Sequence, residues 1–318
     1  MKKPLVSICI PTHNRPDLLK QALQSATSQT YKNIEIIISD NSTDNKSKLL
    51  MSQFKDNRIK YYKNKISITS FLNVSKVAHL AKGKYIKYLL DDDLLKPDCV
   101  DKMVKVLEKY PKVGVVMAPL DIIDDKGLHI QPRFYFFKKM KYLYKYLNKN
   151  EYLNKKIIMQ DFLTRIYPCC VPTGIMFRKS LFDNIGGFDE KYSYIVDLEI
   201  CMNFATKMDF YYIDEFLSSW RYSSTSETVS ILHKKGIKLD IFYKLTNKYL
   251  AYTQYKKSSY FFASKRTAIN IFAGIKSGNL NLIFETIKTI LYNDPYLLNK
   301  IILPFNLFFE VIKSLLII

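Results

Sequence analysis

The 318-residue chain carries 49 Lys and Arg against 29 Asp and Glu, a formal net charge of +20, and is 48% hydrophobic. That composition allows a core and excludes a disordered chain, while nine glycines and eleven prolines exclude collagen-like and low-complexity classes. Its five cysteines (Cys9, Cys99, Cys169, Cys170 and Cys201) are odd in number and hold no C-x-x-C pair, which argues against a disulfide framework or structural zinc and for a reducing cytosol.

Residues 6–10 read as a buried strand, too short and too soon broken by Pro11 for a secretory signal. Residues 16–28 read as a helix with Leu18, Leu19, Ala22, Leu23 and Ala26 on one face. Further strands are predicted over 34–38, 59–62, 85–90 and 113–117, with helices over 69–81 and from Pro97 to about Lys109. Strands separated by helices imply right-handed crossovers and a mostly parallel sheet, whose ligands bind beyond the carboxyl ends of the strands. Pro11-Thr12-His13-Asn14, Asp40 and Asp91-Asp92-Asp93 all fall at such ends, so three polar segments are expected along one edge.

Residues 133–156 break this rhythm with aromatic and basic residues (8 basic, 1 acidic), either as a solvated surface excursion or as a membrane or acceptor contact. The pattern resumes with an apolar run over 172–177, a Gly186-Gly187 turn, a helix after Asp197 and a strand over 217–222. From 231 onward the chain reads as helical, with Ile283, Ile287, Ile290 and Leu291 on one apolar face. This C-terminal part carries 13 basic and 4 acidic residues, against 6 and 10 over 157–230. Residues 297–318 are apolar but interrupted by Lys300, Pro304, Glu310 and Lys313, which favours a helix lying in the membrane interface over one that spans.

No Gly-rich phosphate loop is present, which argues against dehydrogenases and P-loop enzymes. Three consecutive aspartates repel phosphate directly but can hold it through Mg²⁺ or Mn²⁺; equally, they could complement the dipole of the helix that follows. Asp40 could accept hydrogen bonds from a base or close an Asx turn with Asn41 and Ser42. Asp197 and Glu199 could be a general base with an orienting neighbour, or helix N-terminal charges. Their joint placement favours a site.

Residues 4–230 resemble the inverting family 2 glycosyltransferases of the GT-A fold. VSICIPTHNRPDLLKQAL…IEIIISDNSTDN is similar to the family's opening strand, helix and acidic second strand, GKYIKYLLDDDLLKPD to its D-x-D segment, and PTGIMFRKSLFDNIGGFDEKYSYIVDLEI to its acceptor-side block. The resemblance implies a Rossmann-like α/β domain over 1–230 and a nucleotide-sugar donor near Pro11, Thr12, Asn14, Asp40, Asn73, Asp91, Asp92 and Arg221; residues 231–318, beyond it, read from their own pattern as a helical, membrane-associating region. It implies Mn²⁺ or Mg²⁺ on Asp92 and Asp93, Asp197 as catalytic base, and Glu199 and Gly174 on the acceptor side. Leu90 and Val196 stand where the family often has an acidic residue, and Tyr222-Ser223-Ser224 follows Arg221 in place of a histidine, leaving His233 as a distant substitute. A saccharide acceptor on a polyprenyl-diphosphate lipid, a place on the cytoplasmic face of the membrane and a role in surface polysaccharide assembly are expected by analogy. The alternatives are a sugar-nucleotide-binding protein without turnover, or a basic nucleic-acid module; no nucleic-acid motif supports the latter.

Overall fold

In chain order the computed structural model has β1 (Val6–Thr12), α1 (Pro16–Thr27), β2 (Ile34–Asp40), α2 (Lys46–Met51), β3 (Ile59–Lys63), α3 (Ser70–His79), β4 (Tyr85–Tyr88), β5 (Leu94–Leu95), α4 (Cys99–Lys109), β6 (Val113–Met117) and β7 (Leu120–Ile123). Then come β8 (Glu151–Leu153), α5 (Lys155–Thr164), β9 (Ile175–Arg178), α6 (Lys179–Ile185), α7 (Val196–Lys207), β10 (Asp209–Tyr212), β11 (Ser218–Arg221), α8 (Leu239–Tyr249) and α9 (Leu280–Asn293). The structure describes residues 3–130, 149–164, 171–223, 239–252 and 280–293.

Every residue of β1 and β2 is buried, as expected of β-branched runs covered on both faces. They pair in parallel from Val6↔Ile34 to Thr12↔Asp40. On the other side, β1 pairs with β4 only as far as Cys9↔Tyr88, so Pro11 and Thr12 project past the end of β4. The large sheet has the order β3-β2-β1-β4-β9-β6-β10-β8, and a small one the order β5-β11-β7. Helix α1 buries Leu19, Ala22, Leu23 and Ala26, four of the five residues predicted for its inner face.

The expected α/β architecture with a largely parallel sheet is present, with one reversal inside it. Strand β9 runs antiparallel to both β4 and β6. Apolar periodicity specifies burial and carries no strand direction, so this reversal was not readable. The end of the predicted insertion is also sheet: β8 pairs antiparallel with the edge of β10. Residues 131–148, most of that insertion, lie outside the described residues.

The chain divides into two compact units, residues 1–162 with 167–223, and residues 163–166 with 224–318. Described in the second are α8 and α9, which pack on each other. Of the apolar face predicted for α9, Ile283 is half-buried and Ile287 is 38% exposed, while Thr286 beside it is buried and Phe284 is 77% exposed. The side chains of Ile290 and Leu291 lie outside the description, as do residues 294–318 with the predicted interfacial tail. Among the described residues no helix is long and apolar enough to cross a membrane.

Candidate active site

The three polar segments meet at the carboxyl edge of β1, β2 and β4. Asn14 turns the chain out of β1 with φ of +55°, a left-handed conformation that Asn tolerates better than most residues. Its backbone N–H donates to Ser42 Oγ at 2.7 Å, and its Oδ1 accepts from the Thr43 N–H at 2.9 Å. His13 Nδ1 lies 2.8 Å from the Asn41 carbonyl. The loop after β1 is thereby bolted to the loop after β2. Thr12 Oγ1 donates to Asp91 Oδ2 at 2.8 Å and the His13 N–H to the same oxygen at 3.3 Å, which ties β1 to the aspartate triplet.

Electrostatics set the triplet apart from the buried carboxylates Asp40 and Glu35. Burial alone would raise Asp40 and Glu35, but donors outweigh it and hold both below the usual carboxylate range. For Asp40 these are the Ser42 N–H at 2.7 Å, Tyr61 hydroxyl at 2.5 Å and Lys63 ammonium at 3.3 Å. In the triplet the balance reverses. Burial, then the neighbouring Asp92 charge, pushes Asp91 up to about 6 despite Arg15, Thr12 and His13. Burial raises Asp92 too, against the Arg15 charge, and burial with the Asp92 charge lifts Asp93 well above its ordinary value. A cluster of under-compensated carboxylates at a strand end marks a functional site better than satisfied ones do.

The three aspartates are held differently. Asp92 is the most open, with a side chain 16% exposed that pairs with Arg15 at 2.9 Å. Asp93, expected beside it as a cation ligand, spends both oxygens inside the protein, on the Thr173 hydroxyl at 2.5 Å and the Arg221 N–H at 3.0 Å. Arg221, expected on the donor, is only 1% exposed. Its guanidinium is consumed by the carbonyls of Asp92, Asp124 and Asp125 and by Gln21 Oε1. It fixes the backbone beneath Asp92. Asp40 forms the Asx-type bond to Ser42 and lies buried under the loop it shapes. Asn73 is buried likewise, its amide donating to the carbonyls of Thr12 at 3.3 Å and Ser39 at 3.0 Å.

The acceptor-side block begins with a 3-10 turn, Pro172–Gly174, in which Thr173 and Gly174 are buried. Thr173 is the hub. Its Oγ1 accepts from the Leu90 N–H at 3.1 Å while donating to Asp93, and its carbonyl accepts from the Lys87 ammonium and from Ser218 Oγ. Lys87 is fully buried in β4, and burial draws its ammonium below the ordinary lysine range. The Gly186-Gly187 turn exists, with φ of +76° and +90°, and Gly186 caps α6. Asp197 and Glu199 both lie in the first turn of α7; Asp197 is half-buried, its Oδ1 accepting the Leu198 N–H at 2.8 Å, and Glu199 is fully buried. His233 lies outside the described residues.

The profile of Glycosyl transferase family 2 matches residues 7–186, more than half of the chain. The chain belongs to that family. An uncharacterized glycosyltransferase of Methanocaldococcus jannaschii is 27% identical to it over 82% of this chain and 83% of its own length. One from Rickettsia typhi is 28% identical over 73% and 68%. Among solved structures, S. aureus TarS 1–349 in complex with UDP-GlcNAc superimposes with a TM-score of 0.63 at 13% identity, covering 90% of this chain and 79% of that one. The mannosyltransferase PcManGT from Pyrobaculum calidifontis, in complex with GDP-Man and Mn²⁺, gives 0.57 at 15% identity over 93% and 83%. These likenesses establish the GT-A glycosyltransferase fold.

In this glycosyltransferase four site-building residues went unremarked in the sequence: Arg15, Tyr61, Lys87 and Thr173. Lys87 left a usable signal, a lysine inside the otherwise apolar and aromatic strand YIKY. The carboxylates present suit a divalent cation that arrives with phosphate. Among the described residues no group of three or more His, Cys, Asp or Glu is arranged to hold a metal by itself. Asp92, with Asp91 beside it, offers the one or two carboxylates that Mg²⁺-type sites use when phosphate and water supply the remaining ligands.

Proposed function

We propose that this glycosyltransferase moves a sugar from a nucleoside-diphosphate donor to a saccharide hydroxyl, with inversion at the anomeric carbon. The observation that carries the reading is the under-compensated aspartate triplet at the carboxyl edge of β1 and β4 in a GT-A fold. The family match and neighbours with UDP-GlcNAc and GDP-Man support a nucleotide-sugar donor.

The end of β1 with Pro11 and Thr12, the turn at Asn14 and the turn after Asp40 form the donor side, with Asp40 and Asn73 setting their shape from behind. Asp92 would hold Mn²⁺ or Mg²⁺, which neutralises charge on the departing diphosphate. Asp93 and Arg221 keep the Asp92 backbone in place. Asp197, at the start of α7, takes the proton from the acceptor hydroxyl. The acceptor oxygen forms its bond to the anomeric carbon from the face opposite the leaving group, and the carbon–phosphate-oxygen bond breaks with its electron pair going to the nucleoside diphosphate. Glu199 and Gly174 belong to the acceptor side, Glu199 as a buried neighbour of the base and Gly174 through the turn it closes after Thr173.

The acceptor of this reading is a lipid-linked saccharide in surface polysaccharide assembly, met on the cytoplasmic membrane face. Support comes from the 13 basic against 4 acidic residues over 231–318 and from the exposed Phe284 and Ile287 on α9. The test of the donor is a thermal-shift screen of nucleotide sugars with and without Mn²⁺. One donor class should raise the melting temperature, and only with the cation. A rise with none of them rejects the reading.

A further inference from the structure

Two arginines stand at the aspartate triplet, and they are held in opposite ways. Arg221 is buried and gives its guanidinium to neutral acceptors, three carbonyls and the Gln21 amide oxygen. Withdrawing it would break four hydrogen bonds around a buried side chain, so it is a fixed strut. Arg15 sits between β1 and α1 with a side chain 38% exposed. Among the described residues its guanidinium pairs with carboxylates, Asp92 Oδ2 at 2.9 Å and Asp91 Oδ1 at 3.5 Å. Asp91 has two further donors, the Thr12 hydroxyl and the His13 N–H, so it does not depend on Arg15. Asp92 has Arg15 as its one side-chain partner among the described residues.

The most open carboxylate of the cluster is therefore covered by the more exposed of the two arginines. Arg15 holds Asp92 Oδ2, and a divalent ion that takes that oxygen competes with Arg15 for it. A guanidinium released there still needs an anion, and its planar fork matches phosphate oxygens in a bidentate way. We propose that Arg15 is a ligand of the donor's diphosphate that is stored on Asp92 until the cation arrives. On binding, the cation takes the carboxylate and Arg15 passes to the phosphate oxygens, so cation and diphosphate enter as a pair. Each then strengthens the other through Arg15. The inference rests on the nucleotide-sugar reading for its diphosphate half; its cation half stands on the Arg15–Asp92 pair alone.

The test uses the full chain, with Mn²⁺ alone and then UDP or GDP in the presence of Mn²⁺ as probes, read by titration calorimetry and by the Mn²⁺ electron paramagnetic resonance signal. Arg15→Ala should bind Mn²⁺ alone about fivefold more tightly than the parent protein, because the competing cation is gone, and bind the nucleoside diphosphate roughly tenfold more weakly. Arg15→Gln should move both affinities in the same directions, and it keeps a polar side chain should the alanine variant fold poorly. The Arg15 carbonyl keeps its bond from the Leu19 N–H at 2.9 Å in either variant. Unchanged or weaker binding of Mn²⁺ alone in both variants overturns the storage role, and undiminished diphosphate affinity overturns the ligand role. If the parent protein itself binds neither UDP nor GDP, it is the nucleotide-sugar reading that fails, and the comparison with Mn²⁺ alone still decides whether Arg15 guards Asp92.

Discussion

Replacing Thr173 by valine leaves the shape of a fully buried side chain and removes only its hydroxyl. That hydroxyl donates to Asp93 Oδ2 at 2.5 Å and accepts from the Leu90 N–H at 3.1 Å. Losing a bond to a charged partner costs about 1.5–3 kcal/mol, and stranding the amide adds about 1 kcal/mol, so the expected loss is roughly 2–4 kcal/mol. Thr173→Ser keeps the hydroxyl, gives up one buried methyl and should cost only about 1 kcal/mol. Urea denaturation followed by circular dichroism at pH 7 measures both. The valine deficit should narrow as pH falls, because burial and the Asp92 charge favour the protonated form of Asp93, whose neutral carboxyl gains less from a donated hydrogen bond. Equal stability of the valine and serine variants at pH 7 would refute the hub role of Thr173.

Other perturbations separate binding, chemistry, stability and location. Asp92→Asn should lose Mn²⁺-dependent donor binding, measured by calorimetry, while its circular dichroism spectrum stays that of the parent. Asp197→Asn should bind donor normally and transfer roughly 10²–10⁴-fold more slowly; a crippled Glu199→Gln beside an active Asp197→Asn would move the base by two residues. Asp91 takes its proton at about 6 in the folded chain against an ordinary 3.8, so its contribution to stability is present below pH 4 and lost as pH rises to about 6. Asp91→Asn should therefore resist urea better than the parent protein at pH 7, by up to about 3 kcal/mol, with the gap closing below pH 4. Sedimentation with anionic vesicles should pull down the full chain at low salt but not a truncation before Leu297; equal behaviour of the two rejects the anchor.

Much of the polar strand-end edge was legible in the sequence because its signals are local. The β-branched runs of β1 and β2 announce buried parallel strands, and Thr12, Asn14 and the triplet follow from standing at strand ends. Asp40 offered two readings in sequence, and its bonds to Ser42, Tyr61 and Lys63 show the turn-forming one in place. What stayed hidden depends on contacts between distant segments. Thr173 reaches Asp93 across 80 positions, and Arg221 reaches the Asp92 carbonyl across 129. Neither partner carries a local mark of the other. The antiparallel course of β9 escaped for the same reason, since alternation and apolar runs are silent on direction.

Through Asp92, the triplet edge is proposed to serve cation-dependent transfer from a nucleoside-diphosphate sugar. Release of nucleoside diphosphate from a panel of UDP- and GDP-sugars, with Mn²⁺ and then with excess EDTA, measures this directly in the parent protein and in Asp92→Asn. Turnover of at least one donor by the parent protein with Mn²⁺ is expected, with that turnover lost in EDTA and absent in the variant. Turnover that persists in EDTA, or in Asp92→Asn at the parent rate, would contradict it.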